Sequence, residues 1–176
     1  MVEIIKKETM DTIIINTFTL ADKALFATLW NTGHRISEVL ELKRSDIWYD
    51  DKAMWFTLKV EKRRKEFIHT IKIPMNASYV SYIKEYVDTI PDPNQKLFDI
   101  TRQYVNIKLT RICDELVIPK ITPHDFRHSL ATRLAARGCN KYELDAFFGW
   151  SENANTSGIY VQKGTALLEN IFNKFD

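Results

Sequence analysis

The apolar residues change period along this chain, and that change sets the architecture. Met54, Phe56, Leu58 and Val60 alternate with polar neighbours, as do Phe67 or Ile68 through Ile71 and Ile73. Alternation buries one face of a strand, because successive side chains point to opposite sides. Two antiparallel strands are therefore expected, with Pro74 ending the second. The residues between them are charged and hold no Asn-Gly or similar tight-turn pair, so a long turn is predicted. Before and after this hairpin the apolar spacing is helical. The predicted fold class is mainly α with a small antiparallel β-sheet, that is, α+β. The 5 glycines among 176 residues agree, since a many-turned sheet protein needs more. One domain is expected, spanning 1–176, with a core large enough to need no disulfide.

Helix boundaries follow from capping chemistry. Thr19, with Asp22 three residues on, starts a helix striped by Leu25, Phe26 and Leu29 and broken at Asn31-Thr32-Gly33. A short helix follows from Arg35. Val80, Ile83, Val87 and Ile90 form a stripe ending before Pro91, and Val105, Leu109, Ile112 and Leu116 form another before Pro119. Thr122-Pro123, with Asp125 behind, is the sharpest start signal: an N-cap, then proline in the first turn. Gly138 closes that helix. Asn140 caps the next, which ends at Phe148-Gly149. A tail helix is expected within 161–176, carrying Leu168, Ile171 and Phe172.

The net charge of +2 says little about partners, but its distribution says more. Lys59, Lys62, Arg63, Arg64 and Lys65 cluster in the hairpin, where they can neutralise phosphates or simply form a solvated face. Two cysteines, Cys113 and Cys139, point to reduced thiols in a cytosolic-type compartment. No apolar run is long enough for a transmembrane helix, and no membrane partner is expected.

Four groups of residues carry chemistry. Arg35 stands behind Gly33 at a helix start, where its planar fork can meet a phosphate; the bland alternative pairs it with Glu38 or Glu41. His124 and Arg127 lie three apart on one helical face, with His124 in the first turn, where backbone N–H groups favour an anion. The pair His124 and His128 also has the four-residue spacing of a zinc helix, but Asp125 stands where that motif needs glutamate. The other histidines are His34 and His69, and neither is an evident third ligand. Finally, Phe147-Phe148-Gly149-Trp150 precedes a small, polar, loop-like stretch and then Tyr160, which is either a nucleophile or one of a packed apolar triplet.

Taken in order, T-G-x-R-x-S-E, a basic hairpin, H-x-x-R, G-W and a tyrosine, all between Thr32 and Tyr160, resemble the tyrosine recombinase or phage integrase family. The resemblance implies a catalytic-domain fold and a site-specific recombinase that cleaves and rejoins DNA through a 3′-phosphotyrosine. Arg35 and Arg127 would clamp the scissile phosphate, with His124 as the motif histidine. Trp150 would stand where most members carry a second histidine, Tyr160 would be the nucleophile, and Glu38 would support the first arginine. The general acid would be a hairpin lysine. Strand parity favours Lys62, and distance from Arg35 leaves Lys59 as the alternative. Lys59, Arg63, Arg64 and Lys65 would contact DNA.

No metal, nucleotide or other cofactor is implied. The partners would be double-stranded DNA with a specific recombination site and other copies of the protein, as a tetramer on that DNA. The expected location is the cytoplasm, on the nucleoid, or a host cytoplasm if the protein is viral. A type IB topoisomerase-like enzyme and an inactive DNA-binding module are the rivals. His34 departs from the commoner apolar residue before Arg35, and the spacing from Trp150 to Tyr160 is one residue long. The resemblance implies an additional DNA-binding domain before the catalytic one, so this chain is expected to be one domain or fragment of a longer protein, or an unusually short member.

Overall fold

The computed structural model describes residues 4–62, 65–150 and 156–162, and only the backbone of 61, 62, 65 and 66. In chain order the elements are α1 (Lys7–Ile15), α2 (Leu20–Thr32), α3 (Ile36–Leu40), a 3-10 turn (Arg44–Asp46) and β1 (Ile47–Tyr49). Then come β2 (Ala53–Lys62), β3 (Lys65–Pro74), α4 (Val80–Asp88), α5 (Arg102–Leu116), α6 (Pro123–Ala136) and α7 (Lys141–Phe148). Residues 156–162 are helical. The mainly α class with one small antiparallel sheet is the fold observed, in the order β1-β2-β3.

Helix α2 is the centre of the molecule. Thr19 accepts a hydrogen bond from the backbone N–H of Asp22 at 3.1 Å, and every residue from Ala24 to Thr32 is buried. A helix apolar on all sides must be covered on all sides, and here α4 and α6 pack against it. The stripes on α4 and α5 bury Val80, Ile83 and Val87, and Val105 and Leu109, against the same core. On α6 the N-terminal signal is realised: Asp125 accepts from both the N–H and the hydroxyl of Thr122, at 2.8 and 2.7 Å, with Pro123 in the first turn.

Two expectations about the hairpin and the tyrosine need correction. The hairpin turn is short rather than long, since the ladder runs without a bulge from Ala53↔Pro74 to Lys62↔Lys65. Alternating burial is seen through Val60 on β2 and from Phe67 on β3, and the backbone ladder continues beyond them to the charged residues. Met54, Phe56, Leu58 and Val60 face the core, and the opposite choice at the start of β3 resolves in favour of Phe67, because Ile68 is 72% exposed. Tyr160, expected behind a loop reaching Gly158, instead lies inside the helical stretch 156–162. Small polar residues are compatible with a helix when its apolar positions, here Tyr160 and Val161, have a core to join.

Helix α1 was not anticipated at all. Its start has no side-chain cap, and its burial rests on Met10, Ile13 and Ile14 alone. The expected tail helix over Leu168, Ile171 and Phe172, and the turn residues Arg63 and Arg64, lie outside the described residues.

Gly33 closes α2 with φ +57, and a Cβ there would sit 2.8 Å from Cε1 of Phe148 and 3.1 Å from Cδ2 of Leu130. Both the backbone conformation and the close approach exclude a side chain. Gly33→Ala should therefore lower stability by about 1–3 kcal/mol, read as a lower denaturant midpoint. An unchanged midpoint would mean that the turn and Phe148 can shift at no cost.

Candidate active site

Three segments distant in sequence meet beside Gly33. The α2–α3 turn brings Arg35. Its backbone N–H and its Nη1 donate to the two carboxylate oxygens of Glu38, each at 2.8 Å. Glu38 is buried, while the Arg35 side chain is 51% exposed. The glutamate thus anchors the base of an arginine whose remaining donors face outward. The bland pairing and the phosphate-binding reading are therefore compatible here.

Arg127 comes from α6 and is buried to 4% exposure. Its Nη1 donates to the carbonyl of Gly33 at 2.9 Å, and Nη2 reaches the carbonyl of Phe148 at 3.5 Å. The guanidinium carbon lies 5.0 Å from the Phe148 ring centre and 5.2 Å from that of Trp150. Burial first, and Arg35 second, push its pKa down to about 10. It stays a cation at neutral pH, and carbonyls and aromatic faces take the place of a carboxylate partner.

A cleft of about 540 Å³ opens beside these groups, lined among others by His34, Arg35, Arg102, Lys120, His124 and Arg127. Arg35, His124 and Arg127, expected together from sequence, do share it. Asn106 and Thr110 of α5 also line it, and sequence reasoning did not single them out. Their spacing from Arg102, one residue per helical turn, was the available signal.

Trp150 and Tyr160 join the site through an aromatic stack. Phe148, Trp150 and Tyr160 lie nearly parallel, with ring centres 4.6 and 5.3 Å apart. Tyr160 is 5% exposed, and its hydroxyl is hydrogen-bonded to Nδ1 of His128. Burial raises the tyrosine pKa, with Arg127 pulling the other way. His128, considered from sequence only as a metal ligand, is thus the tyrosine's partner. Its ring meets His124 edge-on at 4.2 Å. Among the described residues no group of three or more His, Cys, Asp or Glu side chains gathers to hold a metal ion.

Lys59 is exposed on β2. The side chains of Lys62 and Lys65, like all of Arg63 and Arg64, lie outside the described residues. The backbone of Lys62 can still be placed. It continues the parity of Met54, Phe56, Leu58 and Val60 along an unbroken ladder.

The sequence model of the phage integrase family matches residues 4–166. The chain belongs to that family. Its match covers the turn with Arg35, the hairpin, α6 and Tyr160 in a single span.

Among related integrase-family proteins, the tyrosine recombinase XerD of Staphylococcus saprophyticus is 26% identical over 167 residues, covering 88% of this chain and 54% of that protein. The tyrosine recombinase XerA of Thermococcus onnurineus is 28% identical over 149 residues, covering 80% of this chain and 50% of that protein. The chain spans about half the length of the relatives it matches. The crystal structure of XerA recombinase superposes with a TM-score of 0.75 at 20% identity, covering 98% of this chain and 63% of that one. XerH site-specific recombinase, bound to its palindromic difH substrate in a post-cleavage complex, superposes at 0.73 and 19% identity over 96% of this chain and 52% of that one. At these identities the superpositions establish the integrase fold and nothing finer. No helix among the described residues is long and apolar enough to cross a membrane.

Proposed function

We propose that this chain is the catalytic domain of a site-specific DNA recombinase that forms a 3′-phosphotyrosine through Tyr160. The observation that carries the reading is convergence. Arg35 and Arg127, 92 positions apart in sequence, line one cleft with His124, while Tyr160 stacks on Trp150 next to Arg127. Two guanidiniums can hold the non-bridging oxygens of a phosphodiester and stabilise the charge that develops there. The Tyr160 oxygen attacks phosphorus, the bond to the 5′ oxygen breaks, and that oxygen takes a proton. A free 5′-hydroxyl of another strand reverses the step, so the covalent bond conserves the phosphodiester without a nucleotide. His128, in contact with the Tyr160 hydroxyl, is placed to receive its proton.

The substrate is double-stranded DNA bearing a recombination site, engaged by several copies of the protein, as a tetramer, in the cytoplasm. Arg102 and Lys120 on the cleft wall would meet backbone phosphates. The hairpin cations Lys59, Arg63, Arg64 and Lys65 would add to this electrostatic footprint.

A pool of nicked duplexes with randomised sequence tests the reading in one experiment. Cleavage beside a nick releases a short fragment, so a recombinase becomes trapped on its site. Covalent adduct formed in EDTA, with one recoverable sequence, is the expected result. Binding without adduct would leave a DNA-binding module. Adduct without sequence preference, together with relaxation of supercoiled DNA, would indicate a topoisomerase-like enzyme.

The proton donor is the second element of the proposal. Lys62→Ala should slow adduct formation on the recovered duplex by about a hundredfold or more, the usual weight of a general acid. The defect should shrink when the bridging 5′ oxygen is replaced by sulfur, since a thiolate leaves without a proton. Rescue of Lys59→Ala instead would hand the role to Lys59.

A further inference from the structure

His34 and His69 occupy the seam between the hairpin and the arginine clamp. The His34 ring donates from Nδ1 to the carbonyl of Thr32 at 3.0 Å, which fixes its tautomer. The ring stacks on His69 of β3, with centres 5.6 Å apart and planes 30° from parallel. His69 in turn donates from Nε2 to the carbonyl of Phe147 at 3.0 Å, at the end of α7. The next carbonyl along, that of Phe148, accepts from Arg127, and Gly33, next to His34, supplies the other carbonyl that Arg127 holds. A Cβ on Gly149 would lie 3.4 Å from Cζ of Phe67 and 3.6 Å from Cδ2 of His69, so β3 rests directly on the α7 terminus. Two bridges therefore join the same two segments: the Arg127 guanidinium on one side and the imidazole stack on the other. Only the stack also includes the hairpin.

The imidazole at position 34 carries a cost that marks it. Its Nε2 is buried with no hydrogen-bond partner. A buried acceptor left unpaired lowers stability, and a leucine would fill the space without that loss. A flat ring, unlike a leucine, can set the orientation of the His69 ring against it. Burial, and next Arg127, hold the His34 pKa down to about 3, so the ring stays neutral and does not repel the neighbouring arginines.

We propose that the His34–His69 stack is a positioning element that seats the β2–β3 hairpin, and with it the lysine that protonates the leaving oxygen, on the turn of Arg35 and the cradle of Arg127. The proposal rests on the recombinase reading given above. Neither imidazole is given a part in making or breaking bonds; both act through the hairpin.

The test uses the recovered nicked duplex in two forms, with oxygen or sulfur at the bridging 5′ position. His69→Gln keeps a donor for the Phe147 carbonyl and loses the stacking ring. His34→Leu keeps the volume. Binding, dominated by phosphate contacts, should be little changed in either. Adduct formation on the oxygen duplex should fall about tenfold or more, as displaced catalytic groups typically cost. On the sulfur duplex most of that loss should disappear. The double variant should be no slower than the slower single, because both remove one strut. If His34→Leu fails to fold, His69→Gln decides alone. Equal losses on the two duplexes would mean general loosening and would overturn the proposal, as would rates within about twofold of wild type or additive defects. Those outcomes leave the recombinase reading intact. Absence of adduct with the wild-type chain would overturn that reading, and the positioning role with it.

Discussion

Tyr160→Phe should bind DNA and form no covalent adduct. The ring stays in the stack with Trp150 and Phe148, and only the hydroxyl is lost. Removing a covalent nucleophile typically costs several orders of magnitude, with little left but binding. The structural effect should be small by comparison. The hydroxyl bond to His128 is lost, which costs about 1 kcal/mol, so the variant should melt close to wild type. Trapping on the nicked duplex, resolved on a denaturing gel, reads the outcome directly. An adduct formed at the wild-type rate by the phenylalanine variant would remove Tyr160 from the chemistry and leave it a packing residue among Leu130, Leu144 and Phe148.

The second large effect separates the two arginines. Arg127→Lys should slow cleavage by about a hundredfold or more, because an ammonium cannot give two parallel hydrogen bonds to phosphate oxygens. It should also destabilise the fold. A single ammonium nitrogen cannot take the places of both Nη1 and Nη2 at the Gly33 and Phe148 carbonyls, and an orphaned buried acceptor costs about 1–3 kcal/mol. Arg35→Lys should show a comparable loss of rate with little change in melting, since that side chain is half exposed and a lysine can still meet Glu38. Thermal melts beside single-turnover cleavage check both halves. Arg127→Lys cleaving within a few fold of wild type would remove Arg127 from the phosphate. Equal melting shifts for the two variants would mean that the carbonyl cradle contributes little.

What the sequence disclosed was mostly local. Thr19, Thr122 with Pro123 and Asp125, and Asn140 announce helix starts through bonds made within three residues, and each does so in the structure. Alternation set the face of β2 for the same reason. The misses are tertiary. Nothing local marks α1, whose helix survives because Met10, Ile13 and Ile14 find a core. The shortness of the hairpin turn depends on cross-strand pairing rather than on turn residues. His69 looked unremarkable because an isolated histidine has no pattern. Its parity with Ile71 and Ile73 did, however, place it on the inner face, and that signal was there to be used. The stacking of Tyr160 on Trp150 depends on how the chain returns to α6 and α7, which spacing along the sequence cannot express.

The burial of Arg127 bears on how relatives of this chain would lose their activity. The enclosed guanidinium is disfavoured by desolvation and by Arg35, yet it also satisfies the buried carbonyls of Gly33 and Phe148. An apolar residue there would remove the buried charge but orphan both acceptors, at about 1–3 kcal/mol each. Folding and chemistry therefore want the same residue at position 127, and a relative that no longer cuts DNA should keep its arginine there. Retirement would be written first at Tyr160 or Arg35, where the fold has less at stake, so an intact Arg127 in a genome would not certify an enzyme.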